Sequence, residues 1–429
     1  MLGQLWSFAE RFAPRVISAF LLLLLAYFAA PEAVGIYNYG ILLYTLFQAV
    51  TDAPFRQVIF FTVSSRKGMR FLRRYRVLVA ILGFSGILLG IVGLWLFLDV
   101  NHPEQVVSLL PIAFAPAFTA WGLRGVGLLQ AAGKWKTLAA GQAIAAVSSL
   151  VVALPVLYIT QSPLGCSMGL LTTEMVFAFW CWRQGRSAIS NQVEIPKDSR
   201  RISSLYAKMA GYSGLAWTQG QADRVLIGAF SGAANLGIFS MATALARSLG
   251  DALASSSANV LRSELGTLAD PAEAHRRASK VLNRGTFLAL AGVWLSVLMT
   301  ETIVTWVLGQ EWQTALSIVP LLSLSVIPSI FSWSSAVLHV ARRSASRALI
   351  APIIGILFAF PIAWLSGSNL YAAAGVVLLR ELSLSCVAYL LIGRTAPWRS
   401  YGYGMLAVVG SVAVMVVTGL VQIGEIFPG

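Results

Sequence analysis

Long apolar runs recur from one end of the chain to the other, separated by short polar stretches. A helix needs roughly 20 apolar residues to cross a bilayer, and the runs have about that length. The pattern predicts thirteen helical spans, near residues 8–30, 34–62, 77–98, 105–131, 138–159, 164–182, 204–230, 235–261, 284–307, 313–338, 348–366, 371–392 and 401–423. The first run follows Arg11 and Arg15 and ends in Ala29-Ala30, as a secretory leader would; it is kept as a span because the repeat described below requires it. The expected fold class is therefore an all-α polytopic membrane protein.

Composition agrees with the pattern. The 429 residues are 57% hydrophobic and 11% charged, with a mean hydropathy of +0.76. Soluble domains carry about 25% charged residues, so an ordinary water-facing surface is excluded. A net charge of +14 would, in a soluble chain, point to nucleic acid. Placing the charges removes that reading. Of 31 Lys and Arg, 26 fall in loops or at span ends on one side of the membrane by helix parity, five lie deeper within spans (Arg56, Arg124, Arg224, Arg247 and Arg380), and none lies on the other side. This is the bias of cytoplasmic loops. It predicts a multi-pass protein of the bacterial inner membrane with its N-terminus in the cytoplasm and membrane lipids, not nucleic acid, around it.

The basic side includes residues 64–76, 183–208, 262–284 and 394–399, while the outer side carries Glu32, Asp99, Glu104 and Glu311. Within 262–284, Asp270-Pro271-Ala272-Glu273 reads as a helix start, with a capping acid, Pro at the first position and Glu at the third. It predicts a short basic surface helix. The outer loops are too short for a catalytic domain. With no His/Cys ligand spacing and no phosphate loop, neither an enzyme nor a metal or other cofactor is expected. Cys166, Cys181 and Cys386 all lie in apolar runs and read as small core residues.

The chain also repeats itself. Val34-Gly35-Ile36-Tyr37 returns 202 residues later as Leu236-Gly237-Ile238-Phe239. Leu110-Pro111-Ile112 returns 209 residues later as Val319-Pro320-Leu321, and Leu129 to Lys134 pairs with Leu338 to Arg343 at the same offset. A six-span unit makes both halves enter the membrane from the same side, a parallel repeat. The expected organisation is a six-helix bundle over 1–182, a basic cytoplasmic linker over 183–203, a second bundle over 204–393, and an additional span over 394–429. Such pairs of bundles work by rocking one half against the other.

The segments Gln221-Ala222-Asp223-Arg224-Val225-Leu226-Ile227-Gly228 and Ala234-Asn235-Leu236-Gly237-Ile238-Phe239 resemble the Wzx-like polysaccharide transporters, the O-antigen flippases of the multidrug/oligosaccharidyl-lipid/polysaccharide (MOP, MATE-like) exporter superfamily. Leu308-Gly309-Gln310-Glu311-Trp312 and the Ala-Gly-Lys turn at 132–134 fit the same pattern. The resemblance covers spans one to twelve; a thirteenth departs from the usual twelve or fourteen. It implies two pseudo-symmetric six-helix bundles and alternating-access export of an undecaprenyl-pyrophosphate-linked oligosaccharide, an O-antigen, capsule or exopolysaccharide unit. It also implies coupling to an H+ or Na+ gradient, and polysaccharide polymerase and chain-length proteins as partners. A cation-coupled drug exporter of the same superfamily is the alternative. That branch favours acidic over basic cavity residues, and five arginines lie within the spans here.

Ionisable groups in a bilayer core are costly unless paired or facing water, so each is a site candidate. Gln48, Asp52 and Arg56 stand four residues apart, on one helical stripe. Pro54 beside them frees backbone groups. Arg247 and Asp251 repeat the four-residue spacing, Arg124 and the Asp223/Arg224 pair lie in spans four and seven, and Glu174, Arg380 and Glu381 complete the set. In one reading Arg56, Arg124, Arg224 and Arg247, with Gln48, hold the pyrophosphate, because guanidinium binds phosphate oxygens bidentately and stays charged. Asp52, Glu174, Asp223, Asp251, Arg380 and Glu381 are then coupling or structural charges. In the other reading, Asp52–Arg56 and Arg247–Asp251 are mutual pairs that hold helices together.

Overall fold

The computed structural model describes residues 2–52, 55, 66–97, 103–187, 200–265, 271–341, 347, 350–393 and 396–421, and no strand occurs among them. The helices are α1 (Leu2–Phe28), α2 (Pro31–Val50), α3 (Arg66–Phe97), α4 (Pro103–Val107), α5 (Leu110–Ala131), α6 (Trp135–Thr160), α7 (Leu164–Ser187), α8 (Arg200–Leu265), α9 (Pro271–Ile303), α10 (Gln313–Leu324), α11 (Val326–Ala341), α12 (Ile350–Leu357), α13 (Ala359–Ser366), α14 (Leu370–Ile392) and α15 (Trp398–Val417).

Among the described residues nine helices are long and apolar enough to cross a membrane, or ten if the bent pair α10–α11 is one span, and Val16–Phe28 and Ile350–Ser366 are shorter apolar helices. The thirteen expected spans and this count part at four places. The first and eleventh are the short helices, the tenth is the bent pair, and the seventh and eighth run together in α8. Within α8 the break is one residue, Gly232, at φ 83° and ψ 174°. Only glycine adopts that conformation without steric cost. The carbonyl of Ser231 beside the break accepts from Asn235 Nδ2 at 3.1 Å, which meets the bilayer's demand that backbone groups be satisfied internally.

Other expectations are corrected in register. The basic stretch from Arg66 to Arg76 is the first part of α3 rather than a loop, consistent with the good helix propensity of Lys and Arg. The predicted surface helix is continuous with the ninth span as α9, starting at Pro271; its capping Asp270 lies outside the described residues. There Glu273 meets Arg276 and Arg277, each at 2.8 Å, in exposed pairs that add little stability. In the second span, expected to reach residue 62, α2 ends at Val50 and Asp52 and Phe55 are helical again; residues 53, 54 and 56–62 lie outside the described ones.

The chain forms two compact units, Met1–Trp217 and Thr218–Gly429. This division by packing falls inside α8; the linker at 183–203 is a division by repeat and charge, and its residues 188–199 lie outside the described ones. In the first unit α7 packs on α5 and α6, α1 on α6, and α3 on α5. The α5–α7 seam is made by small residues. A Cβ added to Gly122 would lie 2.9 Å from Ala178 Cα, and one added to Gly125 would overlap the Cys181 carbonyl. Close backbone approach of this kind drives helix association where lipid is as apolar as leucine.

In the second unit α14 packs against α10, α11, α12 and α13. The last helix, α15, packs on α9, α10 and α11, with Tyr401 stacked on Tyr389 at 4.8 Å and edge-on to Phe331 at 5.4 Å. It is an integral part of its unit. Cys166 and Cys181 are buried, as expected, but Cys386 is exposed. Outward faces are apolar: along α3, Val77, Leu78, Ile81, Leu82 and Leu89 are all more than half exposed. A stripe at helical spacing that is apolar and uncovered suits acyl chains, not water.

Candidate functional site

Among the described residues, each unit brings charged and polar side chains from the sequence candidates together. In the first, α2, α5, α6 and α7 enclose a cavity of about 60 Å³ lined by Gln48, Asp52, Thr119, Gln142 and Glu174 among apolar neighbours. A site needs about 10–15 Å³ of such space per water, so this one admits a few waters or a small cation and no sugar. Its polar wall is a continuous chain of hydrogen bonds. Gln48 Nε2 donates to Tyr44 Oη at 2.9 Å, Tyr44 Oη and Thr119 Oγ1 lie 3.0 Å apart, and Thr119 Oγ1 donates to Glu174 Oε2 at 2.9 Å. Among the described residues, two carboxylates and no Lys or Arg line the space. The electrostatics therefore favour a cation.

The second constellation is a line of ions on α8 and α14. Arg380 is 3% exposed because α14 is surrounded by other helices. Its Nη1 binds Asp223 Oδ2 at 3.0 Å and its Nη2 binds Glu381 Oε1 at 3.1 Å. Glu381 Oε1 also lies 3.6 Å from Arg247 Nη1. Arg247 in turn holds Asp251 Oδ1 at 3.3 Å and Ser325 Oγ at 3.1 Å. Asp223 uses its other oxygen to accept the Arg224 amide at 2.8 Å. The line runs from a buried end at Asp223, whose side chain is 6% exposed, to a wetter end at Asp251, at 38%.

Arg224 is different. Its guanidinium makes one hydrogen bond, Nη1 to Gln221 Oε1 at 3.1 Å, and meets no carboxylate among the described residues. The six charges Asp223, Asp251, Glu381, Arg224, Arg247 and Arg380 balance formally, yet three acids serve two of the three arginines. Arg224 keeps most of its five N–H donors for something else. Arg380 Nε, buried, also has no partner among the described residues.

The structure thus sorts the sequence candidates. Asp223, Asp251, Arg380, Glu381 and Arg247 come together, with Arg224 next to Asp223. Asp52 and Glu174 come together elsewhere, and Gln48 joins these acids rather than the arginines. Arg124 is half-buried on α5 and makes no ion pair among the described residues. Arg56 lies outside the described residues, so the Asp52–Arg56 pair does too; the Arg247–Asp251 pair is present. Sequence reasoning missed Tyr44, Thr119, Gln142, Gln221 and Ser325. Gln142 offered a signal as an amide near the start of an apolar run, and Gln221 as the first residue of the motif around Asp223.

Comparisons with known proteins follow the same line. The family model described as "Polysaccharide biosynthesis protein" matches residues 24–317. Among solved structures, an inward-facing multidrug resistance MATE family transporter of the MOP superfamily superposes with a TM-score of 0.68 at 12% identity, covering 95% of this chain and 99% of that one. The lipid II flippase MurJ, in an inward closed conformation, gives 0.66 at 14%, covering 97% and 92%. A MOP superfamily transporter from Pyrococcus furiosus gives 0.61 at 14%, covering 96% and 95%. These likenesses show a shared fold. No match was found among curated proteins.

Proposed function

Because this chain belongs to the polysaccharide biosynthesis protein family, we propose that it is a flippase for an undecaprenyl-pyrophosphate-linked oligosaccharide. It works in the bacterial inner membrane, N-terminus inside, by alternating access between its two bundles. The observation that carries this reading is Arg224, an arginine on a membrane helix whose guanidinium meets no carboxylate among the described residues. A charge there is costly unless something pairs with it, and a pyrophosphate is the partner a planar fork of donors fits best. The acidic cavity of the first unit supplies the complementary half, a place where H+ or Na+ binds and drives transport. A drug exporter could use that cavity equally well; the spare guanidinium favours an anionic cargo. Polymerase and chain-length proteins are the partners to which the exported unit would pass.

The test is binding of undecaprenyl pyrophosphate to the full-length protein in lipid nanodiscs. Arg224→Ala should weaken binding roughly tenfold or more, as loss of a charge-assisted hydrogen bond would. Arg224→Lys, which keeps the charge without the fork, should fall between. Arg247→Ala with Asp251→Ala, which removes an ion pair, should bind within about threefold of the parent. Parental affinity in Arg224→Ala would sink the assignment.

A further inference from the structure

The cavity of the first unit lies beside a helix that stops early. Val50 closes α2, and Pro54, four residues on, has no N–H to return to the Val50 carbonyl. In a bilayer such a carbonyl must find another donor. Tyr206, on α8, provides it: its hydroxyl donates to Val50 O at 2.7 Å. Tyr75 donates to Thr51 O at 3.2 Å, and the two tyrosine hydroxyls meet each other. Phe55 stacks on the Tyr75 ring with 5.8 Å between centroids and 6° between planes. Three turns further along α8, Trp217 Nε1 donates to Thr45 Oγ1 at 3.1 Å. Thus α8 grips α2 at Thr45 and again at Val50. Gln48 lies between those points, and Asp52 follows the second by two residues.

We propose that Tyr206 and Trp217 form a latch through which α8 positions Asp52, linking occupancy of the acidic cavity to the helix that carries Arg224. The inference rests on the reading of the cavity and of Arg224 given above. A proton or sodium ion entering between Asp52 and Glu174 changes the charge of the cavity that both line, and Asp52 sits on the segment that follows the one-residue break after α2. Thr51, immediately before it, is that break and caps α2. The hydroxyl of Tyr206 holds the carbonyl two residues before Asp52, so displacement of that segment reaches α8 through one directional bond. Coupling of this kind is carried by packed side chains and by the helix they sit on. By linkage it is reciprocal: whatever the cation does to the anion site, the anion does to the cation site. Tyr206 and Trp217 are positioning residues; neither needs to touch the cargo.

The experiment measures the affinity of the full-length protein in nanodiscs for undecaprenyl pyrophosphate at acid and neutral pH, with and without sodium. The ratio between the cation-loaded and cation-free states is the coupling. Asp52→Asn should bring that ratio to one. Tyr206→Phe keeps the ring and loses the hydroxyl, and should shrink the ratio about fivefold, the worth of one hydrogen bond. Trp217→Phe should move it in the same direction, and decides the matter alone if Tyr206→Phe does not accumulate. A merely structural role would weaken binding equally in every condition and leave the ratio at its parental value, which overturns the latch. A parental ratio of one, or a parental ratio kept by Asp52→Asn, overturns the reading of the cavity and the latch with it. An Asp52→Asn ratio of one beside an unchanged Tyr206→Phe ratio overturns the latch alone.

Discussion

Arg380 holds two carboxylates at once, one on another helix and one on its own neighbour in sequence. Its burial explains why it must, because an ion taken out of water is stable only when its partners replace the lost hydration. The converse sets a prediction. Arg380→Ala leaves Asp223 and Glu381, both under 5% exposed, short of a cation. It should cost about 3–5 kcal/mol, read as a large fall in the thermal midpoint in detergent. Adding Asp223→Ala should recover part of that loss, since one of the stranded acids is then gone. Arg224 meets no carboxylate among the described residues, so Arg224→Ala should leave the midpoint close to the parent. The same cluster therefore separates stability from binding by which arginine is removed.

Among the helices, the closest approach in the first unit depends on missing side chains. Gly122 and Gly125 present bare backbone to Ala178 and Cys181 across the α5–α7 seam. Gly125→Leu should destabilise the protein by about 1–3 kcal/mol, as overpacking does, or separate the two helices. The same substitution at Gly86, around which there is open space, should leave the midpoint unchanged. Gly86 and Gly90 have the spacing of a helix-packing motif, but no packing partner meets Gly86. The same seam bears on function, because Gly122 and Ala178 also line the acidic cavity. A larger residue there would close the cavity as well as part the helices.

On the scale of the whole molecule, orientation is set by where the cations fall. α6 has 26 residues and is about 39 Å long at 1.5 Å per residue, enough to cross a hydrocarbon core of about 30 Å. The turns at its two ends, Lys134 and Ser162, should therefore lie on opposite sides. A reporter inserted at Lys134 should score cytoplasmic and one at Ser162 external; the reverse result would invert the proposed topology. Arg76, which the sequence places at the edge of a loop, is inside α3 and is unsuited to such a fusion. The shared fold with MATE and MurJ structures extends over almost the whole chain, and the additional helix α15 is anchored in its unit by its aromatic cluster.

The apolar runs determined by themselves that the chain is helical and membrane-embedded, and the motif at 221–239 pointed to the family that the match over 24–317 then showed. The reason is that burial in lipid acts on every residue of a span, so its mark is spread along the sequence. Spacing also determined what one helix can do alone: Arg247 and Asp251, one turn apart, do pair. Tertiary structure decided the rest. Asp223 meets Arg380 across 157 positions, and Gln48 faces Glu174's hydrogen-bond chain rather than an arginine. Those partners depend on the rotation and depth at which two helices pack, and an apolar run records neither, since it reads alike around its whole circumference. The Pro54 signal shows the boundary between the two. From sequence it implied freed backbone groups near Val50; only packing could place the Tyr206 hydroxyl on the one that lost its donor.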